Sequence, residues 1–278
     1  MRHRANQDQQ FQQWWERTWS EREDELRRAF GESHPPGSPE GYVISFSWND
    51  PNLIIPGACA MVFPPEPGGG NECRERRDDW LYLTHGLTQP SGPEAVKAAR
   101  DGRESRSGYG WEFGVLVAEP ADWIDKALYQ LLTYTRTGQP LGEGHRFRLG
   151  VEEKDGSITP FPLFAKEREA APEGANAALL FWPYLLRRSR LITETGSFGV
   201  LIATMITEDE LQMARSTTSA HVMLLLCKSG IVQRSDPYRG SVLRQPQWAE
   251  EWNRIAELEY EAAMAELEKG RGSWARQL

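Results

Sequence analysis

Five histidines, three cysteines and one strand-borne glutamate are the residues to weigh first for proton transfer, metal binding or nucleophilic attack. His3, His34, His85, His145 and His221 are scattered, and none falls in the HxxxH or HExxH spacing that puts two imidazoles on one helical face. No zinc site is expected. Gly-x-Ser-x-Gly, the turn that presents a hydrolase serine, is absent, so a Ser-His-Asp set would have to assemble from distant segments. Gly108-Tyr109-Gly110 begins like a dinucleotide fingerprint, but position 113 is Phe and the glycines precede a strand instead of following one. No helix N-terminus is offered to a phosphate. Cys59, Cys73 and Cys227 are odd in number and form no CxxC, which fits a reducing compartment and no disulfide framework; Cys227, in an apolar run, is expected to be a buried thiol. Glu112 stands among aromatic residues early in a strand, where an unpaired acid is expensive to bury. It either faces solvent or has a partner, such as Arg239 or a bound ligand. The residues therefore point to no catalytic group, no metal and no cofactor.

The elements that would position these residues are plainer. From Tyr109 to Val117 bulky β-formers first alternate and then run continuously apolar, a strand half-buried at its start and wholly buried at its end. Gly108 and Gly110 suit a tight entry turn. After Pro120, Ile124, Ala127, Leu128, Leu131 and Tyr134 recur at helical spacing, and Gly138 with Pro140 end that helix. Upstream, Phe11, Trp15, Trp19, Arg22, Leu26 and Phe30 mark an amphipathic helix whose tryptophans either pack it down or form a binding surface. Strands are expected at Tyr42–Trp48, Ala58–Phe63, Trp80–Thr84, Arg146–Val151, Ala178–Trp182, Arg190–Thr193 and Phe198–Ile206, the last buried on both faces. Polar loops are expected from Gln89 to Ser107 and from Ala165 to Gly174, and the charge cluster Arg74–Asp79 reads as a solvated turn. Thr207-Glu208-Asp209-Glu210 fits a capping box, whereas His221–Cys227 is ambiguous by period. Asp236-Pro237-Tyr238-Arg239-Gly240 reads as a turn between two short strands. From Trp248 on, Trp252, Ile255, Leu258 and Ala262 stripe a second amphipathic helix. It carries seven glutamates against one arginine and one lysine between Ala249 and Lys269.

A chain of 278 residues with 39% hydrophobic and 26% charged residues can bury a substantial core. Its net charge of −8 argues against sequence-independent nucleic-acid binding and suits either solubility or a partner with basic patches. No apolar run reaches membrane-spanning length and the N-terminus lacks a signal-peptide core, so a cytoplasmic protein that touches no membrane is expected. No internal repeat or boundary is visible. The expectation is an α+β protein, a single mixed sheet flanked by helices in one domain over residues 1–278. Amphipathic helices lie at both termini, at 1–33 and 245–269.

Trp80-x-Tyr82-x-Thr84-x-Gly86-Leu87, followed by Gly108-Tyr109-Gly110-Trp111-Glu112-Phe113, resembles the paired signatures of the Suppressor of fused (SUFU) domain. The likeness continues through Trp123–Tyr134, Gly138 and Gly144-His145. It resumes at Phe198-Gly199-Val200, Thr207-x-x-Glu210-Leu211-x-x-Ala214 and Gly230-Ile231-Val232 with Asp236, Arg239 and Ser241, spanning about residues 78–242. The resemblance implies a mixed sheet with flanking helices, a helix at His221–Cys227, and a protein-binding role without catalysis. Animal members sequester a transcription factor by holding an extended peptide between two domains. Bacterial members are taken to be immunity proteins in polymorphic toxin systems. This chain resembles only the first domain, and Ala58–Phe63 stands where Asp-Pro-Leu-Asp-Tyr is usual, so the bacterial role is the better fit.

The expected function is accordingly a stand-alone inhibitor of a toxin domain, with a sequestering regulator as the alternative. A hydrolase built from Glu112, His85 or His145 is the reading from another class. The expected protein-binding rim is Tyr109, Trp111 and Glu112, beside a turn that by the resemblance includes Asp236 and Arg239. Aromatic rings among a few charges are the composition of an interface hot spot.

Overall fold

The structure, a computed structural model, describes residues 2–33, 59–65, 78–89, 97–98, 106–121, 123–136, 141–149, 151–152, 158–159, 175–184 and 190–270. Its helices are α1 (Arg2–Phe30), α2 (Trp123–Arg136), α3 (Glu208–Ser216), α4 (Ser219–Lys228), α5 (Ala249–Ala256) and α6 (Tyr260–Gly270). Its strands are β1 (Cys59–Phe63), β2 (Trp80–His85), β3 (Arg106–Val117), β4 (Arg146–Arg148), β5 (Val151–Glu152), β6 (Ile158–Thr159), β7 (Ala177–Phe181), β8 (Leu191–Thr193) and β9 (Gly196–Ile206). Seven strands form one mixed sheet in the order β1-β2-β3-β9-β7-β4, with β8 also on β9; β5 and β6 make a separate hairpin. The fold class is the expected α+β arrangement.

Period-two alternation explains how this sheet acquires two covers. On β9, Phe198, Val200, Ile202 and Ile206 face one core, and Leu201, Ala203 and Met205 face the other. The first core is closed by α1, α3, α4, α5 and α6, and the second by α2 through Trp123, Ile124, Ala127, Leu128, Leu131 and Leu132. β9 is the hub: it pairs parallel with β3, and antiparallel with β7 and β8. Gly114 of β3 lies so close to β9 that an added Cβ would sit 2.8 Å from Ile202 Cδ1. Beyond that point Arg234 and Ser235 occupy the gap between the two strands. Ser235 N donates to Leu116 O at 2.7 Å, while its hydroxyl donates to Ala203 O and accepts from Met205 N, each at 3.0 Å.

Several expectations need correcting. Gly110 takes its positive φ of 90° inside β3, at an irregularity where the pairing with β9 shifts between Arg106 and Trp111, and not in an entry turn. The buried line of α1 is Trp14, Thr18, Arg22, Leu26 and Phe30; Trp15 and Trp19 flank it half-buried. Of the strand expected at Arg146–Val151, Arg146–Arg148 is β4 and Val151 opens β5, and Leu149 N extends the β4–β7 register by donating to Asn176 O at 2.9 Å. Residues 231–242 form turns and a short 3-10 segment, Val242–Arg244, instead of two strands. The C-terminal helix is two helices, since Leu258 O accepts the His221 imidazole (Nε2) at 2.8 Å in place of a helical N–H. That break moves the buried stripe from Ala262 to Ala263 and Leu267. The strand expected at Tyr42–Trp48 and the loop at Ala165–Gly174 lie outside the described residues, as does most of Gln89–Ser107 and of Arg74–Asp79. Asp79 itself is buried against Arg234 at 2.8 Å.

Candidate functional site

Glu112 is the residue with the most to explain. An odd–even count along β3 places Phe113, Val115 and Val117 on the α2 face and Glu112 on the opposite one, under α1. Its side chain is 0% exposed. Four donors converge on the carboxylate: Gly86 N at 3.1 Å, Thr88 N at 2.9 Å and Thr88 Oγ1 at 2.7 Å to Oε1, and Thr84 Oγ1 at 2.8 Å to Oε2. Thr84 Oγ1 also accepts from Phe113 N at 2.8 Å, so the arrangement is closed on itself. Burial still dominates and raises the carboxyl to about 7, against the four hydrogen bonds that favour its charged form.

Arg22 reaches the same place from α1. Its guanidinium donates to Thr88 O at 3.1 Å and Thr18 O at 2.6 Å, and to the Thr195 hydroxyl. Thr88 thus joins the two charges, giving its carbonyl to Arg22 and its N–H and hydroxyl to Glu112. Burial lowers Arg22 to about 10, with the charge of Glu112 opposing. Gln89 completes the helix seat by donating to Thr18 Oγ1 at 2.7 Å. His85 is buried beside them with its ring edge-on to Trp19 at 4.2 Å, and burial, then the charges of Arg22 and Arg27, pull it down to about 3. It is neutral throughout the physiological range. This cluster ties α1 to the sheet.

Glu112 is therefore no contact residue of an exposed rim, and it does not pair with Arg239. Arg239 instead binds the buried Glu210 through two nitrogens, one at 2.8 Å and one at 2.5 Å, and Met205 O at 2.9 Å. Glu210 Oε1 further accepts from Val242 N at 2.9 Å, and Glu210 Oε2 accepts from Thr207 N at 2.9 Å, which closes the capping box of α3. Asp236 is exposed, and its carboxylate accepts from Tyr238 N at 2.8 Å. The Asp236–Arg239 turn follows Ser235 at the C-terminal end of β3, whereas Tyr109 and Trp111 lie toward the strand's other end. The structure does not bring the two halves of the expected rim together.

What does gather at the N-terminal end is an aromatic group that the sequence reading left incomplete. Trp111 meets Trp182 edge to face at 4.6 Å, and Tyr109 packs on the same side of the sheet with its hydroxyl accepting from Leu141 N at 2.7 Å. All three rings are half-buried. Gly199 is their floor: a Cβ there would lie 2.6 Å from both indoles. Trp182 just outside β7 and Gly199 in an apolar strand were the available signals, and only a contact across β9 links them. Among the described residues no three His, Cys, Asp or Glu side chains are grouped to hold a metal ion. No helix among them is long and apolar enough to cross a membrane. Burial pushes the Cys227 thiol well above its ordinary value.

No protein-family model and no curated protein sequence matches the chain. Solved structures do. A Sufu–Fu complex structure is similar with a TM-score of 0.57 at 17% identity, over 87% of this chain and 98% of that one. Drosophila Suppressor of Fused is similar with a TM-score of 0.54 at 19% identity, over 83% of this chain and 52% of that one. A SUFU homologue from Neisseria gonorrhoeae is similar with a TM-score of 0.52 at 11% identity, over 82% of this chain and 98% of that one. The fold is SUFU-like.

Proposed function

We propose that the chain is a non-enzymatic protein-binding domain, an immunity-type inhibitor that neutralises a cognate bacterial toxin domain by direct contact. The observation that carries the binding role is the likeness over 87% of the chain to a fold solved as a Sufu–Fu complex. The state of the ionisable groups supports it. Glu112, Glu210 and His85 are enclosed in the frame, and His145 is exposed with its Nδ1 accepting from Gly142 N. That leaves the half-buried Tyr109, Trp111 and Trp182 as the contact surface, with aromatic area at low conformational cost. Asp236 and the exposed Tyr238 at the other end of β3 are the second candidate contact. An acidic chain of net charge −8 also gains association rate toward a basic toxin.

The test is co-expression with the candidate toxin domain, sought first among the products of neighbouring genes. Rescue of growth together with a stable complex in calorimetry is expected, and Trp111→Ala should weaken that complex at a temperature well below the variant's own, lowered melting temperature. A tight complex with a transcription-related protein and no rescue would move the reading to a sequestering regulator. Turnover of an ester or phosphoester by the purified chain would overturn both.

A further inference from the structure

Pro183 interrupts the chain just past β7, and the peptide groups on either side of it need partners away from water. One side chain meets both. Gln233 Nε2 donates to Trp182 O at 2.8 Å, and Tyr184 N donates to Gln233 Oε1 at 2.8 Å. The two groups belong to residues i and i+2, the spacing at which a neighbouring strand would bond, so the glutamine amide stands in for a missing peptide unit. Gln233 is 0% exposed.

Its backbone is held in an unusual way to do this. Arg234 N donates to Ile231 O at 2.8 Å, closing a four-residue turn whose central residues Val232 and Gln233 have φ of 35° and 65°. Positive φ at both centres is the type I′ pattern, where Asn-Gly is favoured and a β-branched residue is out of place. Val232 is fixed by its side chain, which is buried in the core beside α4. At 233 a glycine would relax the backbone but remove the amide. Left-handed strain of this kind is kept where the surroundings enforce it, and it concentrates at functional sites.

We infer that Gln233 is the positioning residue of the Trp111–Trp182 pair. The strained turn delivers its amide to the Trp182 peptide, which fixes where that indole leaves the backbone. The indole then has one place to go, against Trp111 at 4.6 Å and over Gly199. The inference deepens the contact-surface reading above and rests on it for its functional meaning, but the positioning can be read without any partner.

Two indoles at this separation couple in circular dichroism, and the coupled signal is the part that Trp182→Phe removes. Gln233→Leu, which keeps the bulk and deletes both hydrogen bonds, should reduce that part by roughly half or more while unfolding stays cooperative. Gln233→Glu should lose it near neutrality, where a carboxylate opposes Trp182 O. It should regain it as acid restores a donor at that atom. A coupled signal unchanged in Gln233→Leu overturns the inference. Should neither variant fold, amide exchange in the unaltered chain decides. Tyr184 N–H is expected to be protected with the β9 amides, and exchange at loop rates would overturn the inference. A toxin domain that binds Gln233→Leu as tightly as the parent, after the coupled signal has collapsed, sinks the contact surface and leaves the positioning role standing.

Discussion

Replacing Glu112 by glutamine should uncover a pH dependence of stability that the parent protein hides. The carboxyl sits at about 7 in the folded chain against 4.5 when unfolded, so between those values the folded state holds the proton more tightly. Stability therefore falls as pH rises through that window, by about 1.4 kcal/mol per pH unit and about 3 kcal/mol in all. His85 has the opposite sign. At about 3 folded against 6.5 unfolded, it leaves the unfolded chain holding more protons, and stability falls as pH drops from 6.5. From pH 4.5 to 6.5 the two slopes oppose one another, and the parent should be nearly flat. Glutamine keeps the shape of the protonated acid, with Oε1 still accepting from Gly86 and Thr88 and Nε2 able to donate to Thr84 Oγ1. Near pH 5 the variant should lie within about 1 kcal/mol of the parent. From there to pH 6.5 it should gain about 2 kcal/mol, from the unopposed His85. Urea unfolding at intervals from pH 4.5 to 8 measures this directly. A parent curve that climbs across the window as steeply as the variant's would show Glu112 titrating as an ordinary acid.

Arg22→Met removes the buried cation that faces Glu112 and leaves Thr88 O and Thr18 O without it, so a loss of about 3 kcal/mol or more is expected in denaturant unfolding. Gly199→Ala pushes a methyl against two indoles and should cost about 1–3 kcal/mol, with a change in the near-ultraviolet dichroism of tryptophan that a remote overpacked site would not give. The chain should unfold as one domain. Near- and far-ultraviolet dichroism are expected to give coincident transitions, and an early loss of helix alone would show that α1 or α6 comes away separately.

Much of this frame was legible because the sequence reported burial faithfully where each element has a wet side or a strict alternation. β3 and α2 were found that way, β2 and β9 by their runs of apolar β-formers, and the Thr207 to Glu210 signal located the start of α3. Legibility failed where the environment, and not the period, decides. α4 is buried on every side from Ser219 to Cys227, so its pattern has no polar phase to read, and only the family resemblance named it a helix. The break between α5 and α6 depends on an imidazole 37 residues away in sequence, and no local breaker announces it. Glu112 looked like a contact residue because an acid between aromatics suggests a surface. The four donors that bury it come from β2 and its exit loop, and no spacing rule links residue 112 to residues 84–88. Arg239 was one of the alternatives for a partner of Glu112, and the residue it does pair with, Glu210, was visible only as a capping residue.

The hub position of β9 has a consequence for synthesis. β1, β2 and β3 form one block, β7 and β4 another, and among the described strands only β9 bonds to both. It lies at residues 196–206, so on a growing chain the facing edges of β3 and β7 stay open until that stretch has left the ribosome. The gap beyond Gly114 stays unfilled until Ser235 follows. Unpaired edges of apolar strands invite pairing with other chains. Pauses in translation before β9 should therefore leave a sticky intermediate, and a chaperone that shields strand edges should raise the yield of this protein more than one that only sequesters side chains.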